Sequence, residues 1–186
     1  RAEIMRAGRK KRLFAVLFVN IDRFKEVNEM YGPLVGDRVL RHIADRLRGI
    51  YRGEDFVARL AGDVFGILLS DITTYDDAIE ILDRTRRIIA DPVAEGEVSL
   101  RLTASVGVSL YPNDGETVEV LLRHCESALH VAKGGGRNMC HFFDRTLHDN
   151  LLRRISLEKE LDRAIARDEF MVYYQPKVDR NGIIFG

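Results

Sequence analysis

Apolar and polar positions along this chain fall into runs that switch between a strand period and a helix period. Leu13–Asn20 (LFAVLFVN) is nearly all apolar, as expected of a strand buried on both faces. Arg23–Met30 is a short helix candidate. Asp22, just before it, reads either as its N-cap or as a carboxylate bordering a metal. Tyr31-Gly32-Pro33 breaks the pattern, and a longer helix then runs to about Ile50 with Leu40, Ile43, Leu47 and Ile50 at helical spacing. Arg52–Asp55 is a polar loop. Phe56–Leu60 and Phe65–Leu69 are apolar runs flanking Gly62-Asp63. Gly at the first central position of a two-residue loop suits a type II′ hairpin turn, which holds Asp63 at the tip. If Leu13–Asn20 lies beside this hairpin, Asn20, Asp22 and Asp63 gather at one end of one sheet. Oxygen ligands gathered there suit a divalent cation.

Tyr75–Ala90 reads as a helix with Ile79, Leu82, Ile88 and Ile89 on its apolar stripe and Asp76-Asp77 at the favourable N-terminal end. Asp91-Pro92 stops it. Val98–Tyr111 alternates as one long strand, followed by a turn at Pro112-Asn113-Asp114-Gly115. Thr117–Lys133 is the next helix, carrying Leu121, Leu122, Cys125, Ala128 and Leu129; Gly134-Gly135-Gly136 ends it, and Asn138–Phe143 is a short strand. The order β-α-β-β-α-β, with an added helix and strand, predicts an α/β (α+β) fold. It is a split βαβ, ferredoxin-like arrangement: an antiparallel central sheet with flanking helices, placed on one face. Beyond Asp144 the character changes. Leu151–Arg167 is a charged amphipathic helix with Leu157, Leu161, Ala164 and Ile165 on its stripe, and Phe170–Tyr174 is a strand candidate. The expected division is one domain over 1–144, the start of a linker helix over 145–155, and the opening of a second domain over 156–186. The chain reads as a piece of a longer protein.

Composition narrows the classes. Lys+Arg and Asp+Glu are both 29 in 186 residues, so the net charge is zero. That balance lacks the basic footprint of a nucleic-acid binder. No apolar run approaches the ~20 residues needed to span a membrane, so this stretch predicts no direct membrane contact. Two cysteines, Cys125 and Cys140, make no disulfide framework, and a reducing cytoplasm is the simplest compartment. Any membrane attachment would belong to a region upstream. The histidines show no ligand spacing, and Cys125 sits on a helical apolar stripe as a core residue.

Three stretches carry a resemblance. NIDRFKEVNEMYGPLVGDRVL, RGEDFVARLAGDVFGILLS and ALHVAKGGGRN are similar, in order and spacing over Leu13–Phe143, to the GGDEF family of diguanylate cyclases. The tail, LEKELDRAIARDEFMVYYQPKVDRNGIIFG, resembles the opening of an EAL domain, the cyclic di-GMP phosphodiesterase often fused behind GGDEF domains. The chain ends before the position of that family's EAL triplet. The resemblance implies a nucleotidyl-cyclase palm-like fold that joins two GTP molecules. One 3′-hydroxyl attacks the α-phosphate of the other, with Mg²⁺ ions clamping the attacking and leaving oxygens. It places metal ligands at Asn20, the Ile21 backbone and Asp63, with Asp63 as the catalytic carboxylate. Guanine contacts fall on Asn28 and Asp37, and phosphate contacts on the Phe24-Lys25 backbone, Lys133 and Arg137. Arg52 and Asp55 match its RxxD inhibitory site for cyclic di-GMP. Plainer roles stay open: Asp37 as a first-turn acid, Lys133 and Arg137 facing a negative helix end, RxxD as a chance match.

The family's pentad falls on Ala61-Gly62-Asp63-Val64-Phe65, and three positions depart from it: Asn20 for Asp, Ala61 for Gly, Val64 for Glu. A unit charge ~4 Å from another is worth about 4 kcal/mol at an effective dielectric of ~20, and a divalent ion roughly doubles that. Even strongly discounted, such a loss means on the order of a thousandfold in rate. The sequence therefore predicts a degenerate GGDEF domain that binds GTP, with Mg²⁺ accompanying it, and regulates its own EAL domain without making cyclic di-GMP. The alternatives are a weakly active cyclase working through Asp63, and a nucleotide-free dimerisation module.

Overall fold

The computed structural model describes residues 2–10, 12–51, 53–95 and 98–144, and beyond them residues 164, 165, 167, 171, 177, 178, 180, 184 and 185. The chain divides into two compact units, Arg1–His148 and Asp149–Gly186.

In the first unit, helix α1 (Ala2–Lys10) leads into strand β1 (Leu13–Ile21), helix α2 (Phe24–Tyr31) and helix α3 (Pro33–Ile50). The hairpin is β2 (Phe56–Ala61) and β3 (Val64–Ile72), followed by α4 (Tyr75–Ala90). Then come β4 (Val93–Glu95), β5 (Val98–Leu100), β6 (Ala104–Tyr111), α5 (Val118–Gly134) and β7 (Cys140–Phe142). The main sheet runs β2-β3-β1-β6-β7. β1 is antiparallel to both β3 and β6, and β7 is parallel to β6. β1 is thus the central strand, which explains its apolar run on both faces.

Alternation along β1 sorts the core into two layers. Ala15, Leu17, Val19 and Ile21 pack with Phe65, Ile67 and Leu69 of β3 and with Val39, Leu40, Ile43 and Leu47 of α3 and Leu82 and Ile89 of α4. On the other face Phe14 and Val16 meet Leu121 of α5 and Ala7 of α1. The predicted single helical face is therefore corrected: α2–α4 cover one face, α5 and α1 the other. A sheet with apolar residues at both parities needs two covers. The approach of α5 is close. A Cβ at Gly107 of β6 would overlap the backbone of Cys125 and Leu129, and the Cys125 thiol donates to the carbonyls of Val16 and Gly107.

Several elements differ from the sequence pattern. The expected strand 98–111 is two strands: β5 pairs with β4 in a separate ribbon, and β6 begins only at Ala104. Arg101–Thr103 makes the crossing from one sheet to the other. Glu95 of that ribbon accepts from Arg38 of α3 at 2.6 Å. Ile79 is 45 % exposed rather than on the apolar stripe of α4, which runs through Ala78, Leu82, Thr85 and Ile89; Leu122 of α5 is exposed too. Thr74 caps α4, accepting from the Asp77 amide while Asp77 accepts from the Thr74 amide, so Thr74 and Asp77 form a capping box. Arg46 of α3 donates to the Asp91 and Pro92 carbonyls, both at 2.6 Å, tying α3 to the end of α4.

In the second unit Lys177–Val178 (β8) pairs antiparallel with Ile184–Phe185 (β9). Of the predicted helix Leu151–Arg167, only Ala164, Ile165 and Arg167 are described. Ala164 and Ile165 are helical, with Ile165 67 % exposed rather than covered. The strand candidate Phe170–Tyr174, apart from exposed Met171, lies outside the described residues. No helix among the described residues is long and apolar enough to cross a membrane.

Candidate nucleotide site

The site is built where β1 leaves the sheet. The two-residue turn puts Gly62 at φ 53 with Ala61 opposite Val64, as a type II′ hairpin requires. The Ile21 amide donates to the Asp63 carbonyl at 3.1 Å, so the hairpin tip is fastened to the end of β1. Beyond Ile21 the chain turns through Arg23 in a left-handed conformation, φ 54, into α2. Arg23 makes no side-chain cap, which leaves the first-turn amides at Phe24 and Lys25 without a side-chain acceptor from that position.

Phe24, Lys25, Asn28, Pro33, Asp37, Arg59, Gly62 and Asp63 line one open cleft of about 300 Å³. Five of the predicted site residues (Phe24, Lys25, Asn28, Asp37 and Asp63) thus share one wall-and-floor arrangement between α2, α3 and the hairpin turn. Phe24 is buried and anchors α2, whereas Lys25 is exposed and pairs with Glu29 at 3.2 Å. Gly36 is buried behind Asn28. A Cβ there would overlap the Asn28 Oδ1 and crowd the Phe24 ring. Glycine at 36 is therefore what lets the Asn28 side chain occupy its place.

Arg59 is the cleft residue that the sequence reading missed. Its Nε donates to the Gly62 carbonyl at 2.7 Å, and its guanidinium lies 4.0 Å from the Asp37 carboxylate. A regular two-residue hairpin would set Arg59 opposite Gly66. A bulge between Arg59 and Ala61 sets it opposite Phe65 instead, on the α3 face. The signal available in the sequence was proximity to the turn, two residues before Ala61. The bulge that aims the side chain is not written in any residue type.

Asp22 does not cap α2. It is 5 % exposed, and its carboxylate accepts from Thr103 Oγ1 at 2.7 Å, Ser105 Oγ at 2.6 Å and the Asn138 amide at 3.0 Å. The N-cap expectation fails because these three donors come from the crossing segment just before β6, from β6 itself and from the loop after α5. Asn20 is buried, also at 5 %, and pairs in register with Val64 across β1–β3. Lys133 stands in the last turn of α5, and Arg137 follows in the loop at φ 65 with its amide donating to Ala132 O. Neither lines the cleft.

Val64 contributes no side-chain oxygen, Asn20 offers a buried amide, and among the described residues Asp37 and Asp63 are the carboxylates that line the cleft. Among the described residues no cluster of three His, Cys, Asp or Glu could hold a metal ion. This donor set does not fit a pair of ions. It fits one Mg²⁺ arriving on nucleotide phosphates, which asks for one or two carboxylates and otherwise keeps its waters.

Of the predicted cyclic di-GMP pair, Arg52 lies outside the described residues. Asp55 Oδ1 accepts from the Ser70 amide at 3.0 Å and borders a second cleft of about 300 Å³ shared with Tyr51, Asp77, Glu80 and Arg84. Burial raises the Tyr51 phenol, whose hydroxyl lies 2.6 Å from Thr85 Oγ1.

A five-stranded sheet with a nucleotide-sized cleft beside a Gly-Asp hairpin tip is the architecture of nucleotidyl-cyclase-like domains. The family model for diguanylate cyclase, GGDEF domain, matches residues 1–139, and the chain belongs to this family. Cyclic di-GMP phosphodiesterase NbdA of Pseudomonas aeruginosa is 41% identical over 162 residues, covering 87% of this chain and 21% of NbdA. The bifunctional diguanylate cyclase/cyclic di-GMP phosphodiesterase MucR of the same organism is 37% identical over 175 residues, 94% of this chain and 25% of MucR. The chain therefore spans a fifth to a quarter of the length of these relatives. A structure of a ΔN mutant of P. aeruginosa TpbB that comprises only the GGDEF domain matches with a TM-score of 0.78 and 32% identity, covering 82% of this chain and 88% of that one.

Proposed function

We propose that this GGDEF domain binds GTP in the cleft between α2, α3 and the β2–β3 turn, and that it regulates an adjacent EAL phosphodiesterase domain instead of synthesising cyclic di-GMP. The observation that carries this reading is the pairing of Asn20 with Val64. The two positions that lost a carboxylate are direct neighbours across β1–β3, so the charge is missing from one spot. Phe24, Lys25, Asn28, Asp37 and Asp63, by contrast, still converge on one cleft. Within that cleft an Asn and an Asp can read guanine through its O6 acceptor and its N1 and N2 donors. Lys25, and Lys133 and Arg137 from the end of α5, can meet phosphate charge. Residues 156–186 are read as the start of the EAL domain. The phosphodiesterase names of NbdA and MucR support a downstream domain of that kind. Bound GTP regulates only if it favours one arrangement of the two domains over another.

A weakly active cyclase is the second reading, favoured by the retention of Asp63 at the cleft and by the cyclase half of MucR's description. One experiment separates the two. Calorimetry with GTP, with and without Mg²⁺, should show saturable binding, and chromatography of the same mixture should show no cyclic di-GMP. Protein-dependent product would establish the cyclase reading. Absence of binding would remove the GTP-sensing role.

A further inference from the structure

We propose that Asp22 and Arg86 act as positioning residues, clamping the Gly134–Asn138 loop from two sides so that Arg137 is preset for nucleotide phosphates; this rests on the GTP-binding reading above. Two consecutive residues of that loop, Arg137 at φ 65 and Asn138 at φ 49, hold left-handed backbone conformations. Asn visits that region readily, but Arg adopts it at a cost, and such strain persists only where the surroundings over-determine it. The surroundings here are specific. From the β1 side, the Asp22 carboxylate takes the Asn138 amide at 3.0 Å. From the α4 side, Arg86 Nη2 donates to the Asn138 carbonyl at 2.6 Å and to its Oδ1 at 3.1 Å. The Arg137 amide itself closes onto Ala132 O at 3.2 Å. Three of the four polar groups of Asn138 are therefore engaged, its amide, its carbonyl and its Oδ1, and Arg137 is held between fixed points.

The Asp22 carboxylate has given its capacity to neutral donors. Besides Asn138 it accepts from Thr103 Oγ1 and Ser105 Oγ, and it is buried. A buried carboxylate is tolerated when its lone pairs are taken by hydrogen bonds, and it stiffens whatever supplies them. What supplies them here is the start of β6 and the loop that follows α5. The same end of β1 also fastens the hairpin turn through Ile21 and Asp63. Consecutive residues, Ile21 and Asp22, thus anchor the hairpin turn and the 134–138 loop at the same end of β1.

The test is a pair of titrations on the 186-residue chain and on Asp22→Asn and Arg86→Gln: GTP by calorimetry, and guanosine, which lacks phosphates, by NMR. Both variants should weaken GTP roughly tenfold, the scale of one lost hydrogen bond to a charged group. Guanosine affinity should stay as it is, and the Asn138 amide should exchange faster with solvent. Unchanged GTP affinity in the variants would overturn the clamp. So would equal weakening of GTP and guanosine, which marks a general structural role. If Asp22→Asn does not fold, Arg86→Gln decides, because its bonds to Asn138 are made at the surface. A wild-type chain that binds no GTP overturns the nucleotide reading and the clamp together, whereas a binding wild type with indifferent variants removes the clamp alone.

Discussion

The backbone amide of Ile21 donates to the backbone carbonyl of Asp63 at 3.1 Å, so the hairpin tip and the end of the central strand move as one piece. This bond needs no particular side chain. It is made here with two uncharged side chains, Asn20 and Val64, beside it, so the shape of the tip does not depend on charge at those positions.

That shape should allow charge to be put back. Asn20→Asp with Val64→Glu places two carboxylates at directly opposed positions, where like charges repel. Without divalent cation the double variant should melt below wild type; Mg²⁺ should recover it by binding only the folded state. With GTP and Mg²⁺ it should form cyclic di-GMP, at a rate on the order of a thousandfold above the wild-type background. A double variant whose melting ignores Mg²⁺ would show that these positions do not form a cation site.

Gly36→Ala should weaken GTP at least tenfold, by roughly the loss of one guanine hydrogen bond, through displacement of Asn28. The fold should persist, because alanine favours the helix more than glycine does. Circular dichroism beside a GTP titration checks both halves. Full affinity in this variant would mean that Asn28 does not read the base.

Asp37→Ala should lower GTP affinity roughly tenfold while moving the melting temperature little. The Arg59–Asp37 pair is 4.0 Å apart with both side chains about half exposed, the class of ion pair that contributes ~0–1 kcal/mol. A large fall in melting temperature would reassign Asp37 to stability.

Burial pushes the Cys140 thiol up to about 11 and raises Cys125 as well. A raised folded value means that the neutral thiol is the one the fold favours. Its contribution is complete below the ordinary thiol range and is lost as pH climbs from 9 to 11. Urea midpoints should therefore fall across that window, and Cys140→Ala should flatten the fall. At pH 8 the native chain should resist Ellman's reagent and yield two thiols only on unfolding.

The regular parts of this domain were legible because each follows from neighbours in sequence. Leu13–Asn20 is apolar at both parities and lies in the middle of the sheet. Gly62-Asp63 dictates its own turn. Phe24, Lys25, Asn28 and Asp37 fall together because α2 and α3 follow one another directly around Gly32 at φ 83. What could not be read depends on distance or on absence. Asp22 is an N-cap by local rules, and only the folded sheet brings Thr103, Ser105 and Asn138 to it. β4 is three residues long just after Pro92, too short to show a period. Arg59 is re-aimed by a bulge. Gly36 acts by having no side chain, which no pattern of chemistry-bearing residues reveals.

The central position of β1 carries a last consequence, for how the domain opens. Both edges of β1 are hydrogen-bonded, to β3 and to β6, so its amides should be released only by global unfolding. α2 and the hairpin turn meet its end through fewer bonds than the strand itself makes, and should open before it does. The cleft thus straddles a boundary between slower-exchanging and faster-exchanging parts of the domain. A ligand there can quiet the periphery without altering the energy of the core, so its message would be carried by lost motion rather than by a changed fold.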